Sequence, residues 1–454
     1  MKIHFISIGG SVMHQLAIAL QKKGDIVTGS DDEIFEPSKS ALSAHKLLPI
    51  SFGWNPDHIQ KDIDAILLGM HAREDNPELI KARELGMPVF SFPEYIYKES
   101  IDKLRIVVGG SHGKTTTTGM IMHVLQSIGA RFDYLVGAKL PGFEQSVSIT
   151  DAPVIICEGD EYPASALERR PKFHFLFPSI AVITGIAWDH INVFPTFENY
   201  LEQFQIFIDK IETGGTLIYC ESDPELKALM AQQQRSDITY VPYGLPIFEI
   251  KANQTYVTIE GETGSLAVFG NHNLLNIQAA WLVCKKLEVS AADFVKGIGS
   301  FTGASRRLEV VAQNETRIVF RDFAHAPSKV KATMEAVRSQ YPVRRLVAVL
   351  ELHTYSSLNA AFMPQYRGAL QAADAACVFY SPHAMEIKRM PELPVQIVAE
   401  GFNHPELTVC TDRADLEEWL ATQQNEGENL LLMSSGTYDG LNINATAEGW
   451  LRSK

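Results

Sequence analysis

Ile106-Val-Val-Gly-Gly-Ser-His-Gly-Lys-Thr-Thr-Thr-Thr118 runs from a β-branched segment through glycines into a helical pattern. The first part predicts a buried strand. The glycines, lacking Cβ, let backbone N–H groups converge on an anion. Lys114 adds a point charge, Thr115 offers a hydroxyl suited to Mg²⁺, and a helix N-terminus follows, with Met120, Ile121, Val124 and Leu125 as its apolar residues. The stretch reads as a phosphate cradle formed by Gly110, Ser111, His112, Gly113, Lys114, Thr115 and Thr116. Its spacing departs from the general pattern G-x-x-x-x-G-K-[ST]. Val108 stands where the first glycine is expected and Gly109 comes one residue late, while Gly113-Lys114-Thr115 is intact. A glycine-rich turn with an exposed lysine is the plainer alternative. The strand before and the helix after favour a nucleotide.

At 454 residues the chain suits about three domains. A net charge of −14 argues against nucleic acid or an anionic membrane surface as partner, since either needs a basic face. Five scattered cysteines, never in C-x-x-C spacing, indicate neither a disulfide framework nor a zinc site and read as reduced thiols. Met1-Lys-Ile-His-Phe-Ile-Ser-Ile8 leads into a glycine turn instead of a signal-peptide core, and no apolar run approaches about 18 residues. The expectation is a cytoplasmic protein with no membrane insertion.

Working outward, Ile3–Ile8, the turn Gly9-Gly10, a helix over Val12–Lys22 and a strand over Ile26–Thr28 closing on Ser30-Asp31 predict a βαβ opening. Neither register completes G-x-G-x-x-G: Ser7 or Ile8 takes the first place and Val12 or Met13 the third. A strand over Ala65–Leu68 follows, and Tyr97–Lys103 reads as a linker. Beyond the cradle, Val154–Cys157 predicts a buried strand ending in Glu158-Gly-Asp-Glu161. A carboxylate there could hold Mg²⁺, and the alternative of solvated acids is stronger for Asp160 and Glu161 than for Glu158. Ala181–Thr184 leads to Trp188-Asp189-His190, a histidine at the next strand tip, either ligand or surface residue. Gly270-Asn-His272-Asn-Leu-Leu-Asn276 opens a helix with side chains suited to a purine edge or to capping. Phe301 to Glu309, containing Arg306-Arg307, reads as a hinge whose arginines can grip phosphate. Strands over Ile318–Phe320, Leu346–Leu350, Ala376–Tyr380 and Leu430–Met433 predict a separate C-terminal α/β unit.

Taken in order, Gly-Ser-His-Gly-Lys-Thr-Thr, Glu-Gly-Asp-Glu-Tyr, Trp-Asp-His, Gly-Asn-His-Asn-Leu-Leu-Asn, Arg-Arg-Leu-Glu and Asp-Phe-Ala-His-Ala-Pro resemble the Mur ligases of peptidoglycan synthesis over the whole chain. The resemblance implies an α/β fold of three domains. These are a Rossmann-like UDP-binding domain over 1–100, a central P-loop ATPase sheet over 101–303 and a Rossmann-like ligase domain over 304–454. It further implies an ATP- and Mg²⁺-dependent amide ligase acting on UDP-N-acetylmuramate and a peptide or amino acid through an acyl phosphate. Position by position, it gives Lys114 to the β- and γ-phosphates and Thr115, Glu158 and His190 to metal. His272 and Asn276 go to adenine, and Arg307 and Asp322 to the nucleotide. Gly9, Gly10, Ser30 and Asp31 line the UDP site, and His325 belongs to the amine side.

The chain departs from the family pattern in places. Glu202-Gln-Phe-Gln205 has no lysine to be carbamylated, Ala326 replaces a usual second histidine, and Leu350-Glu-Leu-His-Thr354-Tyr-Ser lacks an expected arginine. The amine is expected to be a preformed tripeptide, L-alanyl-γ-D-glutamyl-diaminopimelate or a close relative, with L-alanine as the alternative. Val12 stands where alanine-adding members carry glycine, as in the peptide-joining branch. Leu167-Glu-Arg169-Arg170-Pro-Lys172-Phe173 resembles that branch's basic insertion, whose cations could pair with the tripeptide's carboxylates. Two other readings compete. A P-loop ATPase switch would bind partner proteins through its outer domains. A folate polyglutamylating ligase would keep the ATP motifs but not the Gly9-Gly10 domain.

Overall fold

The computed structural model describes residues 1–70, 72–188, 193–303, 308–423 and 427–452. His190, Arg306 and Arg307 therefore lie outside the described residues. The chain divides into two compact units, one of Met1–Gly244 with Leu275–Gly297, the other of Leu245–Leu274 with Ile298–Lys454.

The first unit opens with strand β1 (Lys2–Ile6), helix α1 (Met13–Lys23), β2 (Ile26–Ser30), α2 (Ser38–Ala44), β3 (Ala65–Leu68), α3 (Pro77–Glu84), β4 (Val89–Ser91) and α4 (Phe92–Glu99). Its four strands form a parallel sheet in the order β2-β1-β3-β4. The last helix corrects the linker expected at Tyr97–Lys103. A capping box between Ser91 and Glu94, with proline in the first turn, starts α4 and carries it to Glu99. The chain continues through β5 (Leu104–Gly109), α5 (Lys114–Ser127), β6 (Asp133–Leu135), β7 (Val147–Ser148), β8 (Val154–Glu158), β9 (Ile180–Ile183), α6 (Phe197–Asp209), β10 (Thr216–Cys220), α7 (Pro224–Ala231) and β11 (Thr239–Tyr243). The second sheet has the order β11-β10-β9-β5-β8-β6-β7, parallel except at β6 and β7. Helix α8 (Asn271–Lys286) contributes residues 275–286 to this unit, and α9 (Ala291–Ile298) follows it. Central β5 is apolar from Ile106 to Val108, where both faces of a parallel strand are covered, while the buried Arg105 near its start donates to the carbonyls of Phe177, Ser100 and Ile101. Its neighbours β8 and β9 bring their carboxyl ends alongside the β5–α5 turn, where ligands of open α/β sheets sit.

The second unit contains an element that the sequence reading did not foresee, an antiparallel sheet of β12 (Ile247–Lys251), β13 (Gln254–Ile259) and β14 (Glu262–Leu266). Two-residue turns join these strands, Ala252-Asn253 and Glu260-Gly261, all four at positive φ, as tight hairpins require. Then come β15 (Glu309–Gln313), β16 (Ile318–Asp322), α10 (Pro327–Gln340), β17 (Arg345–Glu351), β18 (Ala375–Phe379), α11 (Pro382–Ile387), α12 (Val395–Phe402), β19 (Leu407–Cys410), α13 (Arg413–Thr422), β20 (Glu428–Met433) and α14 (Ile443–Arg452). The sheet order is β15-β16-β20-β17-β18-β19. Alternate residues of its inner strands feed two cores: Phe320, Ala348 and Leu431 face one, Val319, Val347 and Leu430 the other.

Candidate active site

The β5–α5 turn explains the shifted glycine. Val108 is fully buried within β5, and the left-handed turn starts only at Gly110, with φ 128°. A Cβ on Gly110 would lie 2.2 Å from Thr184 Oγ1, and one on Gly113 (φ 81°) 2.4 Å from Asn276 Oδ1. These two glycines are thus demanded by close approach as well as by backbone conformation. Thr184, one residue past β9, donates its hydroxyl to the carbonyls of His112 and Gly109, and Ser111 N–H donates to Gly185 O at 2.9 Å. Strand β9 thereby clamps the turn. Asn276 sits against its far end, accepting from Thr117 Oγ1 at 3.2 Å.

Thr115 Oγ1 lies 2.7 Å from Glu158 Oε1, and Gly137 N–H donates to Glu158 Oε2 at 2.8 Å. The β5–β8 register sets Val108 beside Glu158 and so carries this carboxylate to the first turn of α5. An alcohol and a carboxylate at this separation are hard oxygen donors that fit Mg²⁺, which keeps waters and phosphate oxygens as its other ligands. Among the described residues no cluster of acidic, histidine or cysteine side chains forms an all-protein metal cage.

The expectation of solvated acids fails for Glu161. It is 1% exposed and pairs with Lys114 Nζ at 2.7 Å, while Lys114 also donates to Gly110 O at 2.6 Å. Tyr200 of α6 joins this group, its hydroxyl 2.8 Å from Ser111 Oγ and 3.4 Å from Glu161 Oε1. Burial alone would depress the Lys114 pKa. Glu161, then Asp160 and Glu158, outweigh it and leave the ammonium above its ordinary value. Asp160 pairs instead with Lys172 at 2.5 Å. The signal that could have exposed this network is the stripe Tyr200, Phe204, Phe207 on α6, whose tyrosine, once buried, needs a partner for its hydroxyl.

Residues 163–172 form a folded-back arm, closed by a bridge between Pro163 and Pro171. Leu167 packs on the apolar cluster around Ile6, Ile66 and Leu79 of the N-terminal sheet. Arg170 makes two bonds to Glu168, at 2.9 and 2.7 Å, and lies over the Phe175 ring. Arg169 is exposed, with no ion pair found among the described residues.

At the N-terminal turn Ser7 adopts the left-handed conformation (φ 69°) that the dinucleotide pattern reserves for glycine. Gly9 N–H donates to Asp31 Oδ2 at 2.7 Å, and a Cβ on Gly9 would lie 2.8 Å from Ile34, whereas Gly10 is less confined. Ser30 donates its hydroxyl inward to the fully buried Glu78, which also accepts from Asn55 N–H at 2.9 Å. Burial, with Asp32 beside it, pushes the Asp31 carboxyl up to about 6 against the pull of the Gly9 amide. A carboxyl raised in the fold stabilises it fully below the unfolded value of 3.8, and this contribution is lost as pH rises to about 6. The thermal stability of the wild type should therefore fall as pH rises across that window relative to Asp31→Asn, by about 1–2 kcal/mol after allowance for solvent contact. Parallel pH profiles of the two proteins would contradict this.

In the second unit Asp322 is 6% exposed, and its carboxylate accepts the N–H groups of Leu308 and Ala324. His325 Nδ1 lies 3.0 Å from Phe323 O. His272 is half-buried in the first turn of α8, after Gly270 (φ 90°).

Glycines and a lysine between adjacent strand tips of a parallel sheet, with a hydroxyl and a carboxylate 2.7 Å apart beside them, define the class as a P-loop α/β enzyme. Sequence profiles of the Mur ligase family match in three consecutive blocks: the catalytic domain over residues 2–99, the middle domain over 108–284 and the glutamate ligase domain over 306–436. The UDP-N-acetylmuramate–L-alanine ligase of a Sulfurihydrogenibium species is 31% identical over 367 residues, covering 80% of this chain and 78% of the relative. The chain belongs to the Mur ligase family, whose members are ATP-dependent amide ligases. The fold is that of the UDP-N-acetylmuramate-alanine ligase of Thermotoga maritima (TM-score 0.66, 21% identity, 99% of this chain and 98% of the other). It is equally that of a murein peptide ligase of Psychrobacter arcticus (TM-score 0.61, 21% identity, 99% of both chains). Family membership sets aside the ATPase switch, and the match over 2–99 sets aside the folate ligase reading. No helix among the described residues is long and apolar enough to cross a membrane.

Proposed function

We propose that this enzyme joins the amine of a preformed L-alanyl-γ-D-glutamyl tripeptide, carrying diaminopimelate or a close relative, to the lactyl carboxylate of UDP-N-acetylmuramate in the cytoplasm. The domain spans 1–100, 101–303 and 304–454 serve UDP-sugar binding, ATP binding and ligation. The sugar carboxylate attacks the γ-phosphoryl group, giving an acyl phosphate and ADP. The amine then adds to the acyl carbon, phosphate leaves, and the amine loses a proton. A free carboxylate is a poor acyl donor, which is why ATP is consumed.

Lys114 and the N–H groups of Gly110 to Thr116 neutralise charge on the phosphates. Thr115 and Glu158 would hold Mg²⁺, which would supply charge neutralisation at the phosphates. Asn276 lies beside the turn that holds the phosphates. His272, Arg307 and Asp322 are assigned to the nucleotide, and His190 to metal, on the motif resemblance. The turn at Gly9 and Gly10, braced by Asp31 and Ser30, receives the UDP group.

The observation that carries the choice of amine is the arm over residues 163–172, which begins just past the metal carboxylate and presents Arg169 to solvent. Arg170 and its partner Glu168 are 60% and 31% exposed, so exchanging that partner for a peptide carboxylate costs little. Lys172, already paired with Asp160, anchors the arm, and His325 is assigned to the amine side on the resemblance. L-Alanine is the second reading, favoured by the names of the curated relatives at about 30% identity. Phosphate release with UDP-N-acetylmuramate, ATP and each amine separates them. Tripeptide should support turnover at least about tenfold better than L-alanine, with Arg169→Ala raising the tripeptide KM. Efficient use of L-alanine without tripeptide product would overturn the choice.

A further inference from the structure

The P-loop lysine is engaged in a way that phosphate binding has to undo. Lys114 Nζ bonds the carbonyl of Gly110, part of the cradle itself, at 2.6 Å and the Glu161 carboxylate at 2.7 Å. Glu161 follows β8 by three residues and is 1% exposed, so its charge acts with little screening. Tyr200 links Glu161 to Ser111, tying the acid to the same turn. The Lys114 side chain is itself only 13% exposed.

We propose that Glu161 is a positioning residue that parks Lys114 on the empty phosphate cradle and releases it when a nucleotide's phosphates arrive. The argument is one of competition. A bound β-phosphate needs the ammonium, yet the ammonium already has a desolvated anion and a carbonyl as partners. Binding must break at least one of these charge-assisted bonds, and Glu161 also repels the incoming phosphates. Both effects act against nucleotide affinity, so their removal has a single sign. Loss of a residue that merely supported the fold or steadied a productive lysine would weaken binding instead. Tyr200 lets the turn and the acid register each other's position through one hydroxyl.

The test is ADP binding by calorimetry, with Mg²⁺ and without sugar or amine, so that its result is independent of which amine the enzyme joins. Glu161→Gln retains side-chain shape and an acceptor for Tyr200 and removes the charge. The Kd for ADP should fall at least about fivefold, as expected for a charge-assisted hydrogen bond that no longer competes, while the nucleotide-free variant should unfold at a lower temperature because Lys114 loses its buried counter-charge. Unchanged or weaker ADP binding by a folded variant would overturn the proposal. Should the variant not fold, a structure of the wild type with ADP decides. Lys114 Nζ more than about 4 Å from Glu161, beyond ion-pair range, upholds the proposal, and a persisting pair overturns it.

Discussion

Lys114→Ala should lower turnover by about a thousandfold or more, the scale at which an aimed positive charge stabilises a transferring phosphoryl group, roughly 4 kcal/mol. The assay is phosphate release at saturating sugar, ATP and amine. Stability has to be separated from chemistry, because the substitution leaves Glu161 buried at 1% exposure without its ammonium partner. Uncovering such a charge costs about 3–5 kcal/mol, so Lys114→Ala should also unfold at lower temperature. The double variant Lys114→Ala with Glu161→Gln removes the stranded charge. It should recover most of the stability and none of the activity. Recovery of turnover in that double variant, or near wild-type ligation by Lys114→Ala, would show that this lysine does not act on the phosphates.

Glu158→Ala should lower kcat/KM by about a hundredfold and move the Mg²⁺ dependence to higher concentration, since it deletes one of the two oxygen donors at the start of α5. The fold should lose little. Glu158 is half-exposed and its bonds are to one hydroxyl and one backbone N–H, so a cost of about 1 kcal/mol is expected. A Mg²⁺ titration of phosphate release beside a thermal melt reads both. Loss of folding with unchanged metal dependence in the surviving activity would make Glu158 a structural acid capping β8. The contrast with Glu161 is instructive. Both acids follow the same apolar run, yet one faces a hydroxyl at a half-open strand tip and the other a buried ammonium.

Much of the architecture was legible because it is written in nearest neighbours along the chain. The apolar runs at Ala65–Leu68, Val154–Cys157 and Ile318–Phe320 became strands that end within a residue or two of those limits. Buried parallel strands need continuous apolar sequence wherever they lie in the sheet. The errors arose where the signal was short. Tyr97–Glu99, expected as linker, is the last turn of α4 because the capping box at Ser91 starts the helix upstream of it. The hairpins over 247–266 went unread because β12 is exposed along its length and shows no alternation of burial.

The strand, glycine turn, lysine and helix start of 106–118 were determined by sequence alone. A glycine turn, a lysine and a helix start are local features, and no distant residue can supply them. So was the family, through the order of its motifs. Tertiary structure decided what no local pattern holds. Gly110 is the essential first glycine because Thr184, 74 residues away, closes on it. Glu161 belongs to Lys114 and not to water because strand β8 lies beside β5 and α6 lays Tyr200 over the turn. Two of the basic arm's three cations already have partners, and these are local ones, Glu168 for Arg170 and Asp160 for Lys172, brought together as the arm folds back. A charge's role depends on the dielectric and the counter-charge around it. At Glu161 both come from residues tens of positions away that meet only when the sheet assembles.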